Sequence, residues 1–302
     1  MRALLLYNPT ATTTTSAVTD VITRALAGQL ELEAVPTKRR NHAGFLAASA
    51  ADEGYEVVVV LGGDGTVNEV IQGIADTDVA LAVIPGGSTN VLARSLGFPN
   101  DAIATTGLVL RKLADDQIRR VNLGTANGRY FAFHAGYGWD GEVVRQVEHR
   151  YHLKRTVRQA AFVWCSALAY AISSDVRKGR ISVRVAGDAT VADQRWVVCA
   201  NSRPYTYVGS RRAELCPVAD LERDLGVVAF GRLNVGSILR VARTALTSTN
   251  IGHLKFVELL ADLPEACLEG DRPLPLQLDG DFVGSTERVE LRSAVGALRV
   301  VA

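Results

Sequence analysis

The chain has 302 residues, of which 48% are hydrophobic and 22% charged, and its formal net charge is +1. The length suggests two domains and the composition an ordinary globular core. The near-neutral charge excludes a broadly polybasic nucleic-acid binder, so no nucleic-acid partner is expected. Cys165, Cys199, Cys216 and Cys267 lack CxxC spacing. They read as reduced thiols of a cytoplasmic protein, not as a disulfide framework or a zinc site. The opening MRALLLYNPT is too short in its apolar run for a signal peptide. The longest apolar stretch, 160–172, falls short of the ~20 residues that span a bilayer. Any membrane contact is therefore expected to be peripheral.

In chain order, residues 3–7 form a candidate strand ending at Asn8 and Pro9. A hydroxyl-rich run over 12–16 leads to a helical pattern through Val18, Val21, Ile22, Ala25 and Leu26, stopped by Gly28. Residues 30–35 alternate as a strand. Asn41 suits the N-cap of a helix running to about Glu53, with Gly54 as its stop. Then comes VVVVLGGDGTVNEV over 57–70: a β-branched buried strand, a glycine turn, and a helix carried by Val67, Val70, Ile71 and Ile74. Residues 79–84 form another strand, ending in PGGSTN, and a short helix from Val91 stops at Gly97 and Pro99. Alternation of strand and helix to about residue 115 predicts a mostly parallel sheet with helices on both faces.

Beyond Asp116 the texture changes to short strand-like segments over 119–126, 129–135, 180–185, 194–200, 225–230, 277–283, 289–291 and 298–301. One helical block interrupts them over about 141–174. The expected organisation is an α/β N-terminal domain over 1–118 and an all-β, sandwich-like C-terminal domain over 119–302.

In an open α/β sheet, ligands bind outside the carboxyl ends of the strands. Three loops fall there: Asn8-Pro9, Gly62 to Thr66, and Gly86 to Asn90. Glycines let backbone N–H groups approach an anion, and a helix N-terminus adds partial positive charge. Asp64 repels phosphate in a plain anion nest. It makes sense if a divalent cation bridges carboxylate and phosphates, or if it accepts a proton. The plainer alternative is a tight turn with a solvated Asp. Neither GxxxxGK[ST] nor GxGxxG after the first strand is present, so P-loop and dinucleotide fingerprints are not indicated.

The combination of Asn8-Pro9, Gly62-Gly63-Asp64-Gly65-Thr66-Val67-Asn68-Glu69 and Pro85-Gly86-Gly87-Ser88-Thr89-Asn90 resembles the diacylglycerol kinase catalytic-domain family, which includes bacterial lipid kinases and the sphingosine and ceramide kinases. The resemblance continues through Val121-Asn122-Leu123-Gly124, Gly136-Tyr137-Gly138-Trp139-Asp140 and Asp279-Gly280-Asp281. It implies an ATP- and Mg2+-dependent kinase acting on a lipid hydroxyl, of diacylglycerol or a sphingoid-like lipid. It implies a nucleotide-binding first domain, a β-sandwich second domain, and a cleft between them. ATP is then expected against Asn8, Pro9, Thr37, Gly62, Gly63, Asp64, Gly65, Thr66, Asn68, Glu69, Gly86, Gly87, Ser88 and Thr89. Asp64 is the expected organiser of Mg2+. Asp281 is the favoured base, with Asp279 and Asp64 as the other candidates. Asn90 and Glu142 are expected near the acceptor lipid.

The chain departs from the family at several positions: Thr10-Ala11-Thr12 follows Asn8-Pro9 in place of a glycine approach, and Asn122 stands where Asp is common. Asp281 replaces a glutamate, and Cys216-Pro217-Val218-Ala219 … Arg223-Asp224-Leu225-Gly226 departs from the P-x-A…D-G-x-L-D pattern that holds a structural Mg2+ in bacterial members, so that site is not expected. Arg145, His149, Arg150, His152, Lys154, Arg155 and Arg158 precede an apolar stretch with Phe162, Trp164 and Tyr170. That block suits an anionic membrane surface, with a solvated helix followed by a core helix as the plainer reading. Two other functions remain in view: a kinase of a soluble substrate of the NAD kinase type, and a non-catalytic lipid- or nucleotide-binding regulator. Sandwich edge strands can pair between subunits, so a homodimer stays open.

Overall fold

The structure, a computed structural model, describes residues 1–9, 15–149, 173–185, 190–247 and 250–302. The threonine-rich first loop, the basic run from Arg150, the apolar stretch that follows it and Cys165 lie outside the described residues. The chain divides into two units: Met1–Leu123 with Ala294–Ala302, and Gly124–Ser293. The division thus falls inside strand β5 (Ile118–Ala126). The return of Ala294–Ala302 to the first unit has a simple cause: Arg299 and Val300 pair in parallel with strand β4.

The first unit alternates as its sequence predicts. The strands are β1 (Arg2–Tyr7), β2 (Glu31–Pro36), β3 (Val57–Gly62) and β4 (Ala80–Pro85). Between and after them run α1 (Ser16–Ala27), α2 (His42–Ala48), α3 (Asp64–Ile74), α4 (Val91–Ser95) and α5 (Ala102–Ala114). The strands lie in the order β2-β1-β3-β4, every neighbouring pair parallel, with the end of β16 (Asp281–Val301) beyond β4. Every residue of β3 and β4 is buried, as expected of a parallel sheet covered on both faces. The helices pack in pairs, α1 with α5 and α2 with α3.

Two local differences have physical causes. The second helix ends at Ala48, not near Glu53, because the chain turns back at once: the Tyr55 N–H reaches the Ala50 carbonyl. Asn41 heads that helix in the left-handed region (φ 64°) and makes no side-chain cap bond. The α2 N–H of Ala43 instead donates to Glu69 Oε2 at 3.2 Å.

The second unit is all-β with helices laid against it. Its strands are β6 (Arg129–Phe131), β7 (His134–Gly138), β8 (Ile181–Val185), β9 (Thr190–Gln194), β10 (Trp196–Ala200), β11 (Thr206–Val208), β12 (Arg211–Ala213), β13 (Leu225–Phe230), β14 (Val257–Leu263), β15 (Glu265–Leu278) and most of β16. Helices α6 (Trp139–His149), α7 (Ser174–Lys178) and α8 (Val235–Thr247) complete it. The order β14-β13-β10-β7-β15 is antiparallel throughout.

Alternate residues of the central strands face two different cores, the period-2 rule of a strand buried on both sides. Val197, Cys199, Val227, Ala229 and Tyr137 join Val183, Leu268, Val289 and Leu291 in one core. Trp196, Val198, Val228 and Phe230 join Trp139 of α6 and Val241 and Ala245 of α8 in the other. Trp196 stacks on Phe230 with centroids 3.6 Å apart and meets Trp139 edge-on at 5.0 Å. The long β15 serves both layers: Ala266 to Gly270 pair with β8, and Leu276 to Leu278 pair with β7. A register shift between Glu269 and Leu274 lies between them, in the stretch that holds Pro273.

Candidate functional site

In the first unit the predicted loops leave one edge of the sheet together. Tyr7 pairs with Pro36 on one side and Leu61 on the other, and Gly62 pairs with Pro85. The carboxyl ends of all four strands are therefore level. Asn8-Pro9, Thr37, Gly62 to Thr66 and Gly86 to Asn90 follow directly. Strand order reverses at β1, flanked by β2 and β3, which makes the loops after β1 and β3 the rim of a switch-point crevice. Backbone bonds tie the rim: the Thr37 N–H donates to the Tyr7 carbonyl at 2.8 Å and the Asn8 N–H to the Leu61 carbonyl at 3.3 Å.

The glycines of the two motifs face each other. A Cβ on Gly87 would lie 2.7 Å from the Gly63 Cα, and one on Gly86 would lie 2.9 Å from the Gly62 nitrogen. The Gly86 N–H also donates to the Gly62 carbonyl at 2.9 Å. These four glycines let two loops pack backbone on backbone. Gly65 differs: it is exposed, and a Cβ there would meet nothing within 4 Å. It sits in the first turn of α3, whose N-cap Gly63 offers no side-chain acceptor to the helix N–H groups. Such a helix end is a place where an anion can bind.

Asp64 is the first residue of α3, where its charge favours the helix dipole. Its Oδ1 accepts the N–H of Val91, the first residue of α4, at 2.7 Å. One carboxylate thus joins both motif helices. Asn90 stands in the left-handed region (φ 49°) and closes the second loop on itself. Its Oδ1 accepts the Gly87 N–H at 2.9 Å, and its Nδ2 donates to the Gly87 carbonyl and to Asn100 Oδ1. Asn68 is buried and accepts from Gln72, while Glu69 holds the start of α2. Asn122 is buried, and its Oδ1 accepts the Gly296 N–H at 2.9 Å.

The donor set fits a cation only in one way. Among the described residues no three His, Cys, Asp or Glu side chains converge into a cage. Magnesium commonly binds through one or two carboxylates together with substrate phosphates. Asp64 can supply such a carboxylate, and Asn122 is committed to Gly296.

The second unit assembles a separate polar cluster around the hairpin between β15 and β16. Asp279 (φ 50°) and Gly280 (φ 86°) form its turn. The Asp279 carboxylate accepts three backbone N–H groups: Ala132 at 2.8 Å, Phe133 at 2.8 Å and His134 at 3.1 Å. The Gly280 N–H donates to Gln277 Oε1 at 2.8 Å, and the Phe282 N–H to Glu148 Oε1 at 3.1 Å. Asp281 lies between these anchors and is half-buried. Asp279 is thereby the fastener of the turn, and Asp281 follows it as the first residue of β16.

Behind the hairpin lies a network that sequence reading misses. Asp140 is buried; its Oδ1 accepts the Tyr205 hydroxyl at 2.6 Å and its Oδ2 accepts Gln277 Nε2 at 2.7 Å. Burial pushes the Asp140 carboxyl above its ordinary range, against the pull of these two donors. Burial first, and then the Asp140 charge, push the Tyr205 hydroxyl well up. His134 packs on the Tyr205 ring at 4.2 Å, its Nδ1 finds no hydrogen-bond partner, and burial lowers its pKa to about 3. Glu142 is fully buried and engaged on its own helix, with Arg145 Nη2 at 2.7 Å and Gln146 Nε2 at 2.7 Å. The three partners Asp140, Tyr205 and Gln277 come from distant segments, and of them only Asp140 stands in a stretch that the family resemblance quotes.

Sequence comparison bears on the first unit. Residues 2–126 match the diacylglycerol kinase catalytic domain. A diacylglycerol kinase of Staphylococcus saprophyticus is 34% identical over 134 residues, covering 43% of this chain and 43% of that protein. One of Staphylococcus haemolyticus is 33% identical over 133 residues, covering 43% and 39%. The chain thus matches less than half the length of these curated relatives. In fold, 99% of the chain superposes on 96% of a putative diacylglycerol kinase from Bacillus anthracis, with TM-score 0.79 and 19% identity. An NAD kinase from Archaeoglobus fulgidus in complex with ATP superposes over 100% of this chain and 94% of its own, with TM-score 0.54 and 10% identity. Level strand ends and paired glycine loops lie within the stretch that the sequence match covers: residues 2–126 resemble the diacylglycerol kinase catalytic domain.

Proposed function

We propose that the protein is an ATP-dependent lipid kinase that transfers the γ-phosphoryl group to a free hydroxyl of diacylglycerol or a sphingoid-like lipid. The observation that carries this reading is the switch-point rim, where two glycine loops and the uncapped N-terminus of α3 stand level at the sheet edge. The nucleotide phosphates lie against Asn8, Pro9, Thr37, Gly62 to Thr66 and Gly86 to Thr89. The exposed Gly65 is where a phosphate approaches the backbone most closely. Asp64 would hold a nucleotide-borne Mg2+, which when bound would neutralise phosphate charge.

Phosphoryl transfer leaves the protein little covalent chemistry beyond positioning and charge stabilisation. The acceptor oxygen bonds to the γ-phosphorus, the bridging bond to the β-phosphate breaks, and ADP leaves. The hydroxyl proton passes to Asp281. Asp279, Gln277 and Glu148 hold the backbone on either side of Asp281, so the base sits on a rigid turn.

The test is purified protein with magnesium, γ-labelled ATP and a mixed bacterial lipid extract, separated by thin-layer chromatography. Label in a lipid-soluble product is the expected result. Label confined to water-soluble product would move the assignment to a soluble acceptor, the NAD kinase type of reaction. Absence of any labelled product would leave a binding protein.

A further inference from the structure

Helix α8 (Val235–Thr247) buries one face and leaves another apolar face outside. Ser237, Val241, Thr244 and Ala245 are its buried residues. Val235, Leu239 and Leu246 are 56%, 64% and 36% exposed, and Ala242 is exposed with them. The spacing i, i+4, i+7, i+11 puts these four on one stripe. Arg240 and Arg243 are exposed along its flank. Exposed single leucines are ordinary, but a helical row of them beside arginines is not.

The surroundings are mainly basic, with Glu214 buried near Arg212 and Glu258 lining one hollow with Arg232 and Lys255. Between Asp224 and Glu258 the sequence has no acidic residue, while Arg232, Arg240, Arg243 and Lys255 all lie in that span. All four are exposed. Strand β12 packs against α8, its Glu214-side end bonded to the helix through the Ala245 carbonyl. That strand adds Arg211 and Arg212, also exposed. A protein partner of mixed charge gains little from such a surface. An anionic sheet with an apolar interior satisfies both features at once.

We infer that α8 is an interfacial helix that seats the second unit on an anionic lipid bilayer. Val235, Leu239, Ala242 and Leu246 enter the acyl boundary, and Arg240 and Arg243 meet the phosphate headgroups. The inference deepens the lipid-kinase reading, which gives the protein a reason to visit a bilayer. It places the contact on a helix outside the basic block that the sequence singles out.

The experiment is co-sedimentation of the full chain, without ATP, on vesicles of phosphatidylcholine with or without phosphatidylglycerol. Wild type binds the phosphatidylglycerol vesicles, and the binding weakens with salt. Each arginine is worth roughly fivefold in affinity. The double variant Arg240→Gln, Arg243→Gln therefore binds on the order of 25-fold more weakly, with a flatter salt dependence. Leu239→Glu loses binding while its circular-dichroism melt stays that of wild type. Equal binding by these variants, or no preference for phosphatidylglycerol, would overturn the inference. So would sedimentation velocity in which Leu239→Glu dissociates an oligomer while vesicle binding is unchanged, since the face would then join copies of the chain. Vesicle binding by a chain that phosphorylates no lipid would sink the kinase reading and leave this one standing.

Discussion

Asp64 performs two tasks that a pair of substitutions separates. Its Oδ1 links α3 to the Val91 N–H, and in the proposed function its charge would hold a nucleotide-borne cation. Asp64→Asn keeps an acceptor for Val91 and loses the charge. Asp64→Ala loses both, at about 1–2 kcal/mol for the cap and dipole together. The expected outcome is a near wild-type melt for the Asn variant with lipid phosphorylation abolished. Wild-type turnover in Asp64→Asn would remove its charge from the mechanism. The glycines divide in the same way. Gly87→Ala drives a methyl into the Gly63 backbone and should cost about 1–3 kcal/mol. Gly65→Ala meets open space and should raise stability by roughly 0.5–1 kcal/mol. If phosphates lie against that turn, the same change raises the KM for ATP. A denaturant melt and a nucleotide titration on both variants check the contrast. The repeated glycines are plain in the sequence. Which of them serve loop packing and which one faces open space is settled by the partner each backbone meets.

At the scale of elements, the polar cluster behind the β15–β16 hairpin makes stability depend on pH. His134 has its pKa lowered from 6.5 to about 3 by burial. The folded state therefore binds fewer protons than the unfolded chain between those values. Its contribution is fully present above about pH 6.5 and is lost as pH falls towards 3, at about 1.4 kcal/mol per pH unit at most. Asp140, raised by burial, acts in the opposite sense: its carboxylate costs stability at neutral pH, and the cost is relieved as it protonates. Urea melts from pH 7 down to pH 4 should show His134→Gln losing less stability than wild type. Equal slopes would mean that the imidazole is not held neutral. None of this is legible in sequence, because Asp140 and Tyr205 lie 65 positions apart and Asp140 and Gln277 lie 137 apart. Helix α8 escapes sequence reading for another reason. A reading that looks for short strands beyond Asp116 passes over it, although its buried Val241, Thr244 and Ala245 keep a helical period. By contrast β3 is transparent, since four valines followed by two glycines leave few alternatives.

Over the whole molecule, the two units are interleaved along the chain. Residues 294–302 belong to the first unit although the 170-residue second unit separates them from Leu123. Leu298, Val300 and Val301 are buried, and Arg299 and Val300 extend the sheet beyond β4. Burying each such side chain is worth about 1.5–3 kcal/mol. A chain stopped after Ser293 should therefore lose on the order of 5 kcal/mol from its first unit and expose the edge of β4. Calorimetry or urea unfolding of that truncation against the full chain measures the loss; an unchanged transition would show the final strand to be dispensable. The sequence signals a last strand over 298–301 but not its partner, because a short apolar run fits equally well beside any open edge.

The place of that strand also orders events at the ribosome. The motifs that would grip a nucleotide are translated early, yet the layer beneath them lacks its outermost member until Ala294 to Val301 emerge. A nascent or prematurely terminated product would carry the glycine loops on an unfinished scaffold, prone to capture by proteases. The sheet of the first unit would thus be completed only after the whole second unit has been made.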